Sequence, residues 1–343
     1  MKKTYLILGC FLLLLLNACT KEISSDNNFT PYIDNPLNDT AWVKTVNGDA
    51  PIYALADTIF QKNIFTDSFD LAKDAKLEYG DSLEIEIDAN SFYTGTGGGT
   101  GGSGGSQDGK AKIEILRLQK KGDFIKAYRP NNSLGFPLET AGGFFIRVSK
   151  NGQELVLNPG SKVKINFSDI TEPVNNMQVF YGRETFPFPI GALDSAHTWI
   201  RDTDTSWLKT FRKQTSTGFI KGYHLEASHL RWISAHRYLD STMAKTNIYG
   251  ILPPNYTNKN TQVFVVFNNN RTVLAMNSDL GTRSFKTGNI PLRSKITLVS
   301  ISKIGQDLYL GIKVVNDVGT IINYSITPEK KTLAQILDYL NSL

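Results

Sequence analysis

The chain has 343 residues, 41% hydrophobic, 20% charged and 11% aromatic, with 37 Lys and Arg against 32 Asp and Glu. That size accommodates about two domains and a large buried core, and the composition excludes collagen, coiled coil, a polytopic membrane protein and wholesale disorder. Both cysteines, Cys10 and Cys19, fall in the first 19 residues, which excludes a disulfide, a thiolate metal site or a cysteine nucleophile downstream.

The N-terminus reads as an address. Lys2 and Lys3 precede an apolar run from Tyr5 to Leu16, too short to cross a hydrocarbon core of about 30 Å at about 1.5 Å per helical residue. It predicts a signal peptide over residues 1–18. Leu16-Asn17-Ala18-Cys19 resembles the bacterial lipobox, with leucine at −3, a small residue at −1 and cysteine at +1. The resemblance implies cleavage between Ala18 and Cys19, a diacylglyceryl thioether on Cys19, and acylation of its new amino group. A thiolate suits that chemistry because it is a good nucleophile. At about 0.8 kcal/mol per buried CH₂, one acyl chain binds a membrane marginally and three hold firmly. Cys10 lies in the removed segment. Thr20 stands at +2 in place of the aspartate that retains enterobacterial lipoproteins on the inner membrane. The expected location is therefore the outer membrane, lipid-anchored and facing periplasm or cell surface. Residues 19–40 are polar and read as a tether. Losing Lys2 and Lys3 with the signal leaves 35 of the 37 basic residues against 32 acidic ones. No dense Lys/Arg cluster remains, so no nucleic-acid partner is expected.

Residues 41–185 alternate at period two. Leu83 to Asp88 is a clear half-buried strand, followed by Lys112 to Leu118, Phe144 to Val148, Glu154 to Leu157, Lys162 to Phe167 and Met177 to Tyr181. Turn chemistry at Gly142-Gly143, Asn151-Gly152 and Pro159-Gly160 separates them, and Asn151-Gly152 is a hairpin signal. An antiparallel β-sandwich is expected. The tract 95–109 interrupts it; eight of the eleven residues from Gly95 to Gly105 are glycine. It matches G-x-G-x-x-G and G-x-S-x-G at once, but no helical pattern follows, as both chemistries require. A Gly/Ser/Thr tract meets such patterns by composition and reads as a loop joining two strands.

Residues 186–245 hold Trp199, Trp207 and Trp232 and all four histidines. Ser206 to Lys213 reads as a short helix, Phe219 to Leu225 and His229 to Tyr238 as strands or a bent ribbon, and the whole as a mixed connector. Residues 246–343 return to alternation: Asn247 to Leu252, Gln262 to Phe267, Thr272 to Met276, Lys295 to Ser302, Leu308 to Val315 and Thr320 to Ile326. Leu333, Ile336, Leu337 and Leu340 then recur at helical spacing, with Thr332 and Gln335 as a capping box. The expected architecture is mainly β: two antiparallel β-sandwich-like domains, a mixed connector and a short C-terminal helix.

His224, His229 and His236 invite a metal reading, but spacings of five and seven are not those of a helical zinc site. No metal, cofactor or catalytic residue is assigned. Glu84 and Glu86 share one strand face and read as its solvent side. The aromatic surplus supplies the candidate binding surface: Trp199, Trp207 and Trp232 with His236 and Arg237, for a protein or glycan partner. The same rings would otherwise cover a seam between the β-domains.

Asp88-Ala89-Asn90-Ser91-Phe92, the run Glu139 to Val148 with Asn151 to Leu155, Pro159-Gly160, Met177 to Gly182, and Leu230-Arg231-Trp232-Ile233 with Arg237-Tyr238 resemble a group of Bacteroidota lipoproteins of unknown function. In such relatives Asn-Cys-Asp-Arg usually follows Trp-Ile, whereas Ser234-Ala235-His236-Arg237 stands here. Any chemistry carried by that Cys and Asp is missing from this chain. The expected function is a non-catalytic binding or scaffolding module attached to the membrane by its N-terminal lipid. The alternatives are an envelope hydrolase acting on glycan or peptidoglycan, and an accessory lipoprotein of a nutrient-uptake complex.

Overall fold

Where the alternation is strict, it buries one side of the strand. In Leu83–Ile87 the three aliphatic residues are buried while Glu84 and Glu86 stay on the outer side. In a computed structural model of the chain, the described residues are 41–60, 64–94, 109–168, 172–183, 197–203, 206–215, 218–239, 242–319 and 321–343. The signal peptide, Cys19, the tether and nearly all of the glycine tract lie outside them.

Three sheets carry the fold. Sheet I has nine strands, along the order Ile64–Asp70, Lys110–Leu118, Phe136–Lys150, Arg231–Tyr238, Gln178–Arg183 and Thr198–Arg201, with Phe92–Thr94, Gln153–Leu157 and Asn132–Ser133 at its margins. Sheet II has five: Trp207–Thr215, Gly218–Ala227, Val163–Ser168, Leu83–Ile87 and Ala75–Glu78. Their facing sides enclose one core, with Ile113, Phe144 and Ile233 from sheet I against Ile85, Ile165 and Leu225 from sheet II. This is the expected antiparallel sandwich. Asn151 and Gly152 turn its hairpin with φ of +50° and +79°, the two positive values of a type I′ turn.

The segment 186–245 is not a connector. Its strands Thr198–Arg201 and Arg231–Tyr238 are members of sheet I, and Trp207–Thr215 and Gly218–Ala227 are members of sheet II. Ser206 to Lys213 is correspondingly strand rather than helix.

Sheet III has eight strands in the order Asn323–Ser325, Lys245–Ile251, Ser284–Pro291, Val273–Asp279, Thr261–Phe267, Ile296–Ile304, Asp307–Val315 and Pro328–Lys331. Its two terminal strands are one stretch of chain separated only by Ile326 and Thr327. Asn323–Ser325 pairs parallel with Lys245–Ile251, and Pro328–Lys331 pairs antiparallel with Asp307–Val315. The sheet therefore curls back on itself, which leaves it no long free edge. Inside lie Val265, Phe267, Leu298 and Ile326, with the Trp42 and Phe285 rings packed at a tilt, centroids 5.2 Å apart.

Among the described residues three α-helices sit between the β-regions: α1 (Pro51–Ile59), α2 (Lys121–Lys126) and α3 (Leu333–Ser342). The expected capping box forms on α3, where the Thr332 hydroxyl accepts from Gln335 N and the Gln335 amide accepts from Thr332 N. Leu55 and Ile59 of α1, Ile125 of α2, and Ile336 and Leu340 of α3 pack on the outer side of sheet III. Phe124 of α2 turns the other way, onto the outer side of sheet I with Trp199 and Trp232. Backbone bonds cross the same layer, from Asn131 N to Val273 O (2.6 Å) and from Thr140 N to Arg271 O (3.0 Å). Thr40–Leu343 accordingly form a single compact unit.

Candidate functional site

One side of sheet II buries the sandwich core and the other is open. The register aligns the outward residues in two cross-strand rows. Lys209 faces His224, then Asn166, Glu84 and Glu78; Trp207 faces Glu226, then Lys164, Glu86 and Lys76. Leu208, Leu225, Ile165, Ile85 and Leu77 alternate with them on the core side. The hairpin formed by Trp207–Thr215 and Gly218–Ala227 pairs with Val163–Ser168 only from Gly222 onward, so its distal half projects past the sheet as an arm. Between this arm and the turn at Glu78–Glu84 lies a groove of about 520 Å³, floored by Asn166, Ser168 and His224. That volume falls in the range of small-ligand sites.

A chain of hydrogen bonds fixes the floor. Lys76 Nζ lies 2.9 Å from both Glu78 and Glu84. Asn166 Nδ2 donates to Glu84 Oε1 at 2.7 Å, so its Oδ1 is left to accept from His224 Nδ1. That assignment puts a proton on Nδ1, and Nε2 lies 3.7 Å from Glu226 Oε1. Lys162 holds the other Glu226 oxygen at 3.0 Å. Burial pushes the Glu84 carboxyl up, but the bonds from Lys76 and Asn166 outweigh it and hold it below its ordinary value. Burial likewise raises Glu226, and Lys162, Trp207 and His224 together bring it below. Both carboxylates stay ionised at neutral pH and act as acceptors.

Above this floor stands Trp207, 39% exposed. Its ring lies 5.2 Å from the His224 ring and 4.9 Å from Lys209 Nζ. Phe211 follows on the same face of the arm, and Arg212 stacks on Phe219 at 4.3 Å.

Of the residues expected to make a binding surface, Trp207 is at the surface, and Arg237 is half-buried in an ion pair with Glu139 at 2.6 Å. Trp199, Trp232 and His236 are not: they are 0%, 1% and 0% exposed. Arg231–Tyr238 is a central strand of sheet I, covered by sheet II on one side and by α2 on the other, so both faces of the strand are interior. Trp199 Nε1 donates to Pro130 O at 3.0 Å, the partner a buried indole needs. Phe186 and Phe188 lie outside the described residues.

The histidines do not converge. His229 is exposed and bonded to Ser228 Oγ at 2.9 Å, and among the described residues no group of three or more His, Cys, Asp or Glu is placed to hold a metal ion. His236 is enclosed by the rings of Trp199 and Phe180, at 4.9 and 5.4 Å. Burial holds its pKa down at about 3, and His197, also buried, is held well below its ordinary value by burial and then by Arg129. Each imidazole takes a proton near pH 6.5 once unfolded, so below about pH 6.5 the unfolded state binds more protons and stability falls with pH, by at most about 1.4 kcal/mol per unit per histidine. We expect urea unfolding to show a loss of about 2 kcal/mol from His236 between pH 7 and 5, with His197 acting in the same direction. His236→Gln should flatten that dependence; an unchanged slope in the variant would contradict it.

Sequence reading missed Lys209, Phe211 and Asn166. Trp207-x-Lys209-x-Phe211-x-Lys213 alternates at period two, a strand signal hidden by the absence of apolar residues at most positions between. Compared with models of known protein families and with curated proteins, the chain matches none of them.

Proposed function

We propose that the chain is a lipid-anchored, non-catalytic binding module of the bacterial envelope, held to the outer membrane through Cys19, and that it binds glycan on the open side of sheet II. One observation carries the glycan reading. An exposed indole, Trp207, stands beside two ordered rows of side chains that offer both donors and acceptors, His224, Glu226, Asn166 and Lys209 among them. A pyranose ring needs this combination, because its apolar face stacks on an aromatic while its rim hydroxyls both donate and accept. Lys209 lies over the indole without ligand, but an exposed cation–π contact is worth only about 0.5–1 kcal/mol, so a sugar ring displaces it.

The hydrolase reading is less well supported. A two-carboxylate glycosidase needs one carboxyl kept protonated as general acid, and Glu84, which lines the groove, and Glu226, beside His224 on the same side of the sheet, are both held below their ordinary values.

The test has two arms. In titrations against a panel of bacterial, plant and host oligosaccharides followed by intrinsic fluorescence, binding should perturb Trp207, the exposed one among the four tryptophans, since Trp42, Trp199 and Trp232 are buried. Trp207→Ala should weaken the best ligand by about 30-fold, roughly 2 kcal/mol, the range of a central aromatic anchor. Binding indifferent to Trp207, or none at all, would remove the glycan reading. For the anchor, wild type should incorporate a fatty-acid probe and Cys19→Ala should not; labelling of the variant would remove it.

A further inference from the structure

We infer that the groove selects glycans carrying an acidic group, a carboxylate or sulfate on the sugar ring, recognised by the basic arm. The inference rests on the glycan reading above and deepens it. Lys209 and Lys213 project from the outward side of the arm, and Arg212, on its other side, also lines the groove; all three are exposed. Among the described residues none of the three forms an ion pair. The opposite bank differs: Glu78 and Glu84 share Lys76, and Glu226 and Lys164 on the floor are matched by Lys162 and Asp88. The positive charge of the arm is thus left for a ligand, while the negative charge of the sheet is largely neutralised from within.

Arg212 is also oriented. Its guanidinium carbon lies 4.3 Å from the Phe219 ring, in contact through its face. A stacked guanidinium keeps its N–H edge free, and that edge matches a carboxylate or sulfate bidentately. Phe219, 54% exposed, has no place in the core and serves as the support for that plane. Lys209, released from Trp207 when a sugar stacks there, falls within reach of an acid substituent on the same ring.

The experiment is calorimetric titration of the protein with hexagalacturonate, with the same hexamer after carboxyl reduction, with a sulfated dextran fragment, and with polyglutamate of equal charge. The acidic hexamer should bind at least tenfold tighter than the reduced one, and a salt increase from 50 to 300 mM should narrow the gap. The sulfated fragment decides whether sulfate serves as well as carboxylate: binding comparable to the acidic hexamer supports the shared acid site, and binding no better than the neutral hexamer confines the site to carboxylates and overturns its sulfate half. Lys213→Ala, at a groove residue with no part in neutral-sugar binding, should cost the acidic hexamer several-fold and leave the neutral one unchanged. Arg212→Lys, which keeps the charge and loses the fork, should cost the acidic hexamer several-fold. Equal, Trp207-dependent binding of the acidic and neutral hexamers overturns the inference and leaves the glycan reading standing. Polyglutamate binding as tightly as the acidic hexamer overturns both, since charge alone then suffices, and binding of neither hexamer nor dextran overturns the glycan reading itself.

Discussion

Gly122→Ala is expected to destabilise the fold by about 3 kcal/mol or more, the upper range for overpacking a filled site. Gly122 is the second residue of α2, and a Cβ built on it lies 1.7 Å from Leu340 O and 2.5 Å from Leu340 C, in the last turn of α3. Those are backbone atoms, so no side-chain rotation relieves the clash. One helix must move. α3 holds Ile336 and Leu340, both fully buried against Leu55, Ile125 and Phe264, and α2 is tied to it by Lys126 Nζ to Asn341 Oδ1 at 2.8 Å and Lys120 Nζ to Asn341 O at 3.0 Å. Moving α2 also shifts Phe124 against Trp199 and Trp232 on sheet I. Helix propensity pulls the opposite way, since alanine gains about 1 kcal/mol over glycine in a helix interior. Urea unfolding therefore separates the two effects by sign. A loss of stability that Leu340→Ala fails to rescue identifies the backbone contact; a gain would show that the helices are not so closely apposed.

Local signals were legible where local rules decide. Strand Leu83–Ile87, the Asn151-Gly152 turn and the Thr332/Gln335 cap all depend on near neighbours, and each occurs in the structure as its pattern predicts. Pairing between distant segments was not legible. Curling of sheet III depends on a stretch that leaves Lys245–Ile251 and reaches Asp307–Val315 within two residues, and no periodicity encodes that. His229 to Tyr238 was legible as a strand or bent ribbon, but Trp232, Ile233, Ser234 and Ala235 lack the alternation that would have assigned it to a sheet face. A strand covered on both faces has no polar side to alternate with, so it gives no period-two signal.

The candidate site was half legible for the same reason. Trp207 stood out as an aromatic, but its neighbours did not, because the arm leaves the sheet after Gly222 and its inward positions Thr210, Arg212 and Gln214 have no core to face. Without an apolar side the arm carries no strand signature, although register then places Lys209 opposite His224 and Asn166. Trp199, Trp232 and His236 were misassigned to a surface because an aromatic-rich segment reads alike whether its rings are exposed or buried.

Gly222→Ala should couple fold and site. A Cβ on Gly222 lies 2.0 Å from Phe167 O and 2.8 Å from Ser168 Cα, where the hairpin crosses the end of Val163–Ser168. As with Gly122, the obstacle is backbone. Here, however, the displaced element is a two-stranded arm at the margin of sheet II, and the strands behind it, Val163–Ser168 and Leu83–Ile87, remain paired with each other. The expected loss is about 2 kcal/mol, less than for Gly122, because an edge hairpin yields more easily than two packed helices. The effect on binding should be larger in proportion. Lifting the arm carries Lys209 and Phe211 away from Asn166 and His224, and the groove exists only while the arm overhangs that floor. At a temperature where the variant is fully folded, its glycan affinity should fall by more than tenfold, with Trp207 fluorescence becoming more accessible to acrylamide. Phe219→Ala, at an exposed position on the same arm, should change stability by no more than about 0.5 kcal/mol, and that sets the stability scale for a surface change on the arm. Unaltered affinity in Gly222→Ala, at a stability loss of the expected size, would place the ligand somewhere other than beneath the arm.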